Sequence, residues 1–277
     1  MSYSAILTHV EVDPAAEPRL KLAADLANQF GAALIGIGAE IFETPTIASS
    51  MGYVDGGTLV AEAQAVEDDL RRAETLFDTI AKGVTAGSEF RCGVGLPGDL
   101  VAQEARAADL IVCAPRHPDR WGLHNHADAG DVLMDAGRPV LVTPDGLTKL
   151  DASSILVAWK DTREARRAVL DAMPFLERAK QVLIAEACEE DDASDARTRV
   201  EDVAALLSRH GIKASTAVRE PGKGVPAAAL LQMAEMQDAG LIVAGGYGHA
   251  RVREWVFGGV TRDLLSGHGK AAVLLSH

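Results

Sequence analysis

The chain has 277 residues, which at about 150 residues per domain predicts two domains. Its apolar content of 48% is typical of a soluble globular protein, and because only 4% of the residues are aromatic, aliphatic side chains must fill most of the core. The 27 basic and 40 acidic residues give a net charge of −13, which argues against general binding to nucleic acids or to an anionic membrane surface.

Neither a membrane span nor an export signal is predicted from the sequence. No apolar stretch approaches the length of a membrane span, about 18 residues, and the N-terminal segment lacks the basic and apolar regions of a signal peptide. The three cysteines are far apart and odd in number, so they predict neither a disulfide framework nor a zinc site. We therefore expect a cytoplasmic protein.

Three pairs of similar segments indicate an internal repeat. These pairs begin at Ile6 and Ile155, at Leu96 and Val225, and at Gly137 and Gly269. The offset falls from 149 residues at the first pair to about 130 at the later ones, so the first copy has roughly 18 extra residues. We place them in the polar stretch 42–58, and we expect one domain at residues 1–148 and a second at 150–277, joined near 145–153.

The predicted elements alternate between strand and helix along each copy. The first copy opens with an apolar strand at 5–10 and reaches its fourth strand at 109–113. In the second copy we predict strands at 153–159, 181–187, 213–220, 241–244 and 271–276, and helices at 162–179, 195–210, 225–235 and 255–265. Thr162 stands at the N-cap position of the first of these helices. This alternation predicts an α/β fold of two tandem five-stranded parallel sheets, each a sandwich with helices on both faces.

A glycine-rich segment follows the fourth strand of the second copy, at the carboxyl end where parallel sheets of this kind bind ligands. It contains Gly245, Gly246 and Gly248, and then, after nine more residues, Gly258 and Gly259. Glycine lets a backbone approach a phosphate closely, and the N-terminus of a helix favours an anion. The segment is neither the dinucleotide fingerprint nor a Walker A loop. Two interpretations stay open: an anion site, or a turn whose glycines serve only the backbone geometry.

The same segment resembles the G-x2-G-x9-G-[ST] motif of universal stress proteins, which is an ATP-binding signature in part of that family. Gly245, Gly248 and Gly258 fall on its three glycines, and Gly259 replaces the final Ser or Thr. The resemblance covers nearly the whole chain as a tandem repeat of two domains. It implies a Rossmann-like, adenine nucleotide alpha hydrolase-like fold, in which the two domains pack together through their last strands, 140–142 and 273–275.

The resemblance also implies a stress-response protein whose second copy is nucleotide-binding, with ATP as the expected cofactor. The phosphates would contact the backbone at 246–248 and 258–260, and the nucleoside would lie near the end of the first strand. The predicted binding residues are Lys160, Thr162, Gly245, Gly246, Gly248, Gly258, Gly259 and Val260. Lys160 replaces the aspartate that commonly ends this strand in ATP-binding members, so a solvated lysine is the alternative there. For Thr162 the alternative is a simple N-cap.

The first copy has lost the motif, and we expect it to be a structural partner that binds no nucleotide. Glu11 ends its first strand. After its fourth strand, only Gly130 and Asp131 resemble the end of the pattern, and the carboxylate of Asp131 would repel a phosphate.

The loop after this fourth strand also contains three histidines close to Asp128 and Asp131. They are His117, His124 and His126. Imidazole and carboxylate groups can ligate zinc or nickel. The H-x-H spacing is weak evidence for a metal site, and a solvated loop explains it, so no metal ligand is predicted.

Three functions are compatible with these patterns. The one we favour is a stress protein that binds a nucleotide, acts through unidentified protein partners and forms a homodimer. The second is an interaction scaffold that binds no nucleotide. The third is a slow ATPase, but no pair of carboxylates stands out as acid and base, so no catalytic residue is predicted. We expect neither a nucleic-acid partner nor a membrane partner.

Overall fold

The structure of the chain is a computed structural model, and it describes residues 2–14, 16–42, 56–115, 126–219, 226–247, 264–266 and 269–277. The side chains of residues 190 and 226 are not described. Residues up to 148 are called the first half below, and residues from 150 onward are called the second half.

The first half alternates strands and helices from its first element onward. Its strands are β1 (Ala5–His9), β2 (Ala33–Glu40), β3 (Ser88–Val94), β4 (Leu110–Cys113) and β5 (Val140–Val142). Its helices are α1 (Ala16–Phe30), α2 (Gly56–Ala81), α3 (Pro97–Glu104) and α4 (Ala129–Asp135).

The second half repeats this order. Its strands are β6 (Ser154–Ala158), β7 (Gln181–Ala187), β8 (Ser215–Arg219), β9 (Leu241–Gly245) and β10 (Ala272–Ser276). Its helices are α5 (Arg163–Asp171), α6 (Met173–Leu176), α7 (Ala193–Arg209) and α8 (Pro226–Met236).

The ten described strands form one sheet with the order β3-β2-β1-β4-β5-β10-β9-β6-β7-β8. Neighbours within each half are parallel, whereas β5 and β10 pair antiparallel, with Leu274 opposite Leu141. The predicted α/β fold is therefore confirmed, and so is the packing of the two halves through their last strands. Pairing removes two apolar edges that would otherwise template aggregation.

The core lies on both faces of this sheet. Along β10, Leu274 packs in the hydrophobic cluster on one face, whereas Val273 and Leu275 pack in the cluster on the other. Each cluster contains residues from both halves, so the core is continuous across the β5–β10 pair. Strands that are buried on both faces are apolar at successive positions, and this explains the uninterrupted apolar runs in the sequence.

An aromatic cluster adds a second contact between the halves. The ring centroids of Phe30 and Phe175 are 5.0 Å apart in an edge-to-face arrangement, and Tyr3 packs against both rings. The Tyr3 hydroxyl donates a hydrogen bond of 2.7 Å to the carbonyl of Asp171. Its burial costs little because this bond satisfies the hydroxyl.

Two predicted features differ from the structure. The helix predicted at 162–179 is divided into α5 and α6 at Ala172, because Pro174 has no N–H to continue the helical hydrogen bonds. The extra length of the first half is not confined to the polar stretch 42–58, since α2 already begins at Gly56 and has 26 residues where its counterpart α7 has 17. Residues 43–55 lie outside the described part of the chain.

Candidate functional site

The candidate site of the second half lies at the carboxyl ends of β6 and β9. These strands are parallel neighbours, with Ala158 opposite Ala244, so the chain leaves the sheet at both strand ends side by side. The strand order reverses here, because β6 is followed by β7 on one side of the sheet while β9 is followed by β10 on the other. A doubly wound sheet binds its ligands in the crevice at such a point.

The end of β6 presents a lysine to solvent and then starts a helix. Lys160 is exposed. Thr162 is the N-cap of α5, and its Oγ1 accepts a hydrogen bond of 3.2 Å from the backbone N–H of Ala165. The N-cap interpretation of Thr162 is therefore confirmed, and this hydroxyl already has a partner without any ligand.

Close packing requires a glycine at the last position of β9, Gly245. A Cβ atom at Gly245 would lie 2.5 Å from the backbone nitrogen of Ala165 and 2.7 Å from the carbonyl carbon of Glu164. Both atoms belong to the first turn of α5. Gly245 therefore lets the N-terminus of α5 lie directly against the end of β9, and it brings the positive end of the helix dipole to the crevice.

The next two residues contact helix α4 of the first half. A Cβ atom at Gly246 would lie 2.6 Å from Cδ2 of Leu133, and one at Gly130 would lie 2.5 Å from the hydroxyl oxygen of Tyr247. Tyr247 itself has a positive φ of 59°. These glycines therefore have a packing role at the contact between the halves. The other predicted binding residues, Gly248, Gly258, Gly259 and Val260, lie outside the described residues.

The equivalent position in the first half contains a buried cluster of charged side chains. Glu11, two residues after β1, is 4% exposed, and its Oε1 lies 3.1 Å from Nδ1 of His9. Its Oε2 lies 3.2 Å from Nη2 of Arg19, which is equally buried, and 3.1 Å from Nδ1 of His126. Burial alone would raise the pKa of Glu11, but Arg19, His126 and His9 together hold this pKa well below its usual range. The Glu11 carboxylate therefore stays ionised at the end of β1, paired with the guanidinium group of Arg19.

The structure brings together two residues that the sequence analysis treated separately, Glu11 and His126. Each follows the carboxyl end of one of two neighbouring parallel strands, β1 and β4. That placement is the signal in the sequence that could have joined them, because such ends meet at one edge of a sheet. Asp128 instead caps α4, since its Oδ1 accepts hydrogen bonds from the N–H groups of Gly130 and Asp131. His117 and His124 lie outside the described residues.

Comparison with known proteins identifies the fold but not a close relative. No protein-family model matches the sequence, and no curated protein matches it. The structure is similar to a universal stress protein from Archaeoglobus fulgidus DSM 4304, with a TM-score of 0.69 and 16% identity, over 98% of this chain and 95% of that one. It is also similar to a protein of unknown function from Pseudomonas aeruginosa PAO1, with a TM-score of 0.56 and 15% identity, over 99% of this chain and 92% of that one.

The chain therefore has the fold of universal stress proteins along its whole length. The resemblance predicted from the glycine-rich segment is confirmed at the level of the fold. At 16% identity the likeness concerns architecture, and a shared fold does not by itself transfer a ligand. Among the described helices, none is both long and apolar enough to cross a membrane.

Proposed function

We propose that this chain is a tandem universal stress protein of the stress response, with domains at residues 1–148 and 150–277. In this proposal the second domain binds ATP or a related nucleotide in the crevice between β6 and β9, and the protein acts through contacts with other proteins. The observation that carries the proposal is the close approach of the N-terminus of α5 to the end of β9 at Gly245, because a helix N-terminus attracts an anion.

The charges around this crevice support an anionic ligand. Asp161 pairs with Arg166 through an ion pair, and Glu164 pairs with Arg163. No ion pair between described residues involves Lys160, so its positive charge stands at the end of β6. An exposed ammonium group beside a helix N-terminus is a suitable partner for a phosphate.

The two halves carry opposite charges two residues after their first strands. Where the second half has Lys160 after its first strand, the first half has the buried, ionised Glu11. The first half also lacks the glycines of the motif after its fourth strand, and the carboxylate of Asp131 there would repel a phosphate. We therefore propose that one nucleotide binds per chain, in the second half.

The alternative function is an interaction scaffold without a nucleotide. It is favoured by the packing of Gly245 against α5 and of Gly246 against Leu133, because this packing accounts for both glycines without a ligand. A slow ATPase is the third hypothesis, and it would need a general base that neither the motif nor the described crevice residues assign.

Titration of the full chain with ATP by calorimetry, at one salt concentration, tests the proposal. The parent is expected to bind one ATP, and Gly248→Val should abolish binding by filling the space beside the phosphates. Gly259→Ser should increase the affinity roughly tenfold or more, because one hydrogen bond to a charged oxygen contributes about 1.5–3 kcal/mol. Gly269→Ser is the matched control, since no atom of the described residues lies within 4 Å of a Cβ atom at that exposed position.

Two results would overturn parts of this proposal. If the parent does not bind ATP and Gly259→Ser does not create binding, the scaffold replaces the nucleotide-binding protein. If two ATP molecules bind per chain, or if Gly248→Val leaves one bound, the assignment of the first half is wrong.

We further propose a cytoplasmic location and a homodimer. The three free, widely spaced cysteines support a reducing compartment. Since β5 and β10 already pair inside the chain, a homodimer would have to form through another surface, and light scattering after size exclusion measures whether it forms.

A further inference from the structure

The carboxyl ends of β1 and β4 bring together three side chains with metal-ligating atoms, Glu11, Asp13 and His126. These three residues are called the first-half cluster below. One ligand atom from each lies within 4.8 Å of the other two. Glu11 is buried, whereas Asp13 and His126 are partly exposed.

We propose that the first-half cluster binds one divalent transition-metal ion of the zinc type. One imidazole nitrogen and two carboxylate oxygens form a donor set that suits Zn²⁺ and its neighbours Co²⁺ and Ni²⁺. The three protein ligands would leave a further coordination position for water. The proposal is independent of nucleotide binding in the second half.

The contact between Glu11 and His126 is the first observation that points to a cation. Oε2 of Glu11 lies 3.1 Å from Nδ1 of His126, and neither atom makes a hydrogen bond of regular geometry with a described residue, although Oε2 also lies 3.2 Å from Nη2 of Arg19. Two atoms that bind the same tetrahedral zinc ion at about 2.0–2.2 Å are about 3.3–3.6 Å apart, so the two atoms would separate by only a few tenths of an ångström on binding. A buried polar atom without a hydrogen bond is costly, and a shared cation would satisfy both atoms.

The charge of the neighbouring cavity is the second observation. A cavity of about 250 Å³ reaches Glu11 and Asp13, and it is also lined by Glu17 and Arg72. Its wall therefore carries three carboxylates and one guanidinium group, which favours a cation over an anion. The partly exposed Asp13 gives an ion a route from solvent to the buried Glu11.

The remaining neighbours of Glu11 hold its carboxylate in position. Nδ1 of His9 contacts Oε1, and Nη2 of Arg19 lies 3.2 Å from Oε2. Ligating carboxylates are commonly held by such polar partners. Without a metal ion, Glu11 and its three neighbours, His9, Arg19 and His126, would form only an ion-pair network. The experiment distinguishes a metal site from such a network.

The experiment uses the full chain after treatment with a chelator and dialysis. Co²⁺ is added while the visible d–d absorption is recorded, and Zn²⁺ binding is measured by calorimetry. The ligand variants are His126→Gln and Asp13→Asn, because both positions are partly exposed and a change there leaves the buried Glu11–Arg19 pair in place. His210→Gln, at an exposed position after α7 in the second half, is the matched control.

The parent and His210→Gln are expected to bind one metal ion per chain, with a Co²⁺ spectrum and a higher Tm in saturating Zn²⁺. Each ligand variant should bind at least about tenfold more weakly and lose this increase in Tm, while its metal-free Tm and circular dichroism show that it is folded. The proposal is wrong if the parent gives neither a Co²⁺ spectrum nor Zn²⁺ binding. It is equally wrong if either ligand variant binds as tightly as the parent, because the metal ion would then lie elsewhere.

Discussion

Replacing Gly245 by alanine tests whether packing against α5 requires this glycine. The new Cβ atom would lie 2.5 Å from the backbone nitrogen of Ala165 and 2.7 Å from the carbonyl carbon of Glu164. Non-bonded heavy atoms prefer separations of about 3.5–4.0 Å, so the overlap is about 1 Å at both atoms. Both atoms belong to the backbone, and a change of side-chain rotamer cannot relieve the overlap. The whole first turn of α5 would have to move away from β9.

The size of the expected effect follows from the cost of overpacking a core. Overpacking of this kind costs about 1–3 kcal/mol. In a chain of this size, 1 kcal/mol corresponds to about 2–4 °C in Tm, so Gly245→Ala should lower the Tm by roughly 2–12 °C.

Thermal unfolding followed by circular dichroism, with two matched glycine variants, gives the comparison. Gly246→Ala should cost less, because its closest neighbour, 2.6 Å away, is the terminal Cδ2 atom of the Leu133 side chain, which can rotate. Gly269→Ala should leave the Tm nearly unchanged, since a Cβ atom there has no neighbour within 4 Å among the described residues. A Tm of Gly245→Ala equal to that of the parent, or above that of Gly246→Ala, would refute the packing argument.

Two further predictions concern polar side chains of the second half, and urea denaturation measures the free energy of unfolding for both. Thr162→Ala should lower the free energy of unfolding by about 1 kcal/mol, because the N–H of Ala165 loses its cap, whereas Thr162→Ser should retain most of it. Arg199→Ala should cost about 2 kcal/mol, because it leaves the buried Glu186 without its bidentate partner and also removes the ion pair with Asp192. This is less than the roughly 3–5 kcal/mol of a fully buried pair, because the Arg199 side chain is 24% exposed. The free energy of unfolding of Arg199→Lys should lie between those of Arg199→Ala and the parent, since the charge remains but the bidentate geometry does not. Equal losses of stability for the Lys and Ala variants would contradict this explanation.

The candidate site of the second half was predicted in part from the sequence. The cap at Thr162 depends on an atom only three residues away, so a local pattern was enough to predict it. The first glycine of the glycine-rich segment was placed correctly at the end of the fourth strand of the second copy, since Gly245 ends β9 beside the end of β6. The partner of each glycine could not be predicted. Gly246 contacts Leu133 of the other half, and a sequence pattern shows that a residue is small without showing what approaches it.

The first half shows the limit of local patterns more clearly. Glu11 and His126 were each noticed in the sequence, one as a substitution at a strand end and the other as one of several loop histidines. Their 3.1 Å approach depends on β1 and β4 being neighbours in the sheet. Only the tertiary structure decides which loops meet, because the contact joins residues more than a hundred positions apart.

The sequence by itself determined the alternation of strands and helices and the α/β class with mostly parallel strands. These features depend on periodic burial and on short-range hydrogen bonds, which the order of apolar and polar residues encodes directly. The tertiary structure decided the packing roles of Gly245 and Gly246 and the assembly of the first-half cluster. Such contacts depend on strand order and on the exact distance between elements, and neither quantity is encoded in any local stretch of the chain.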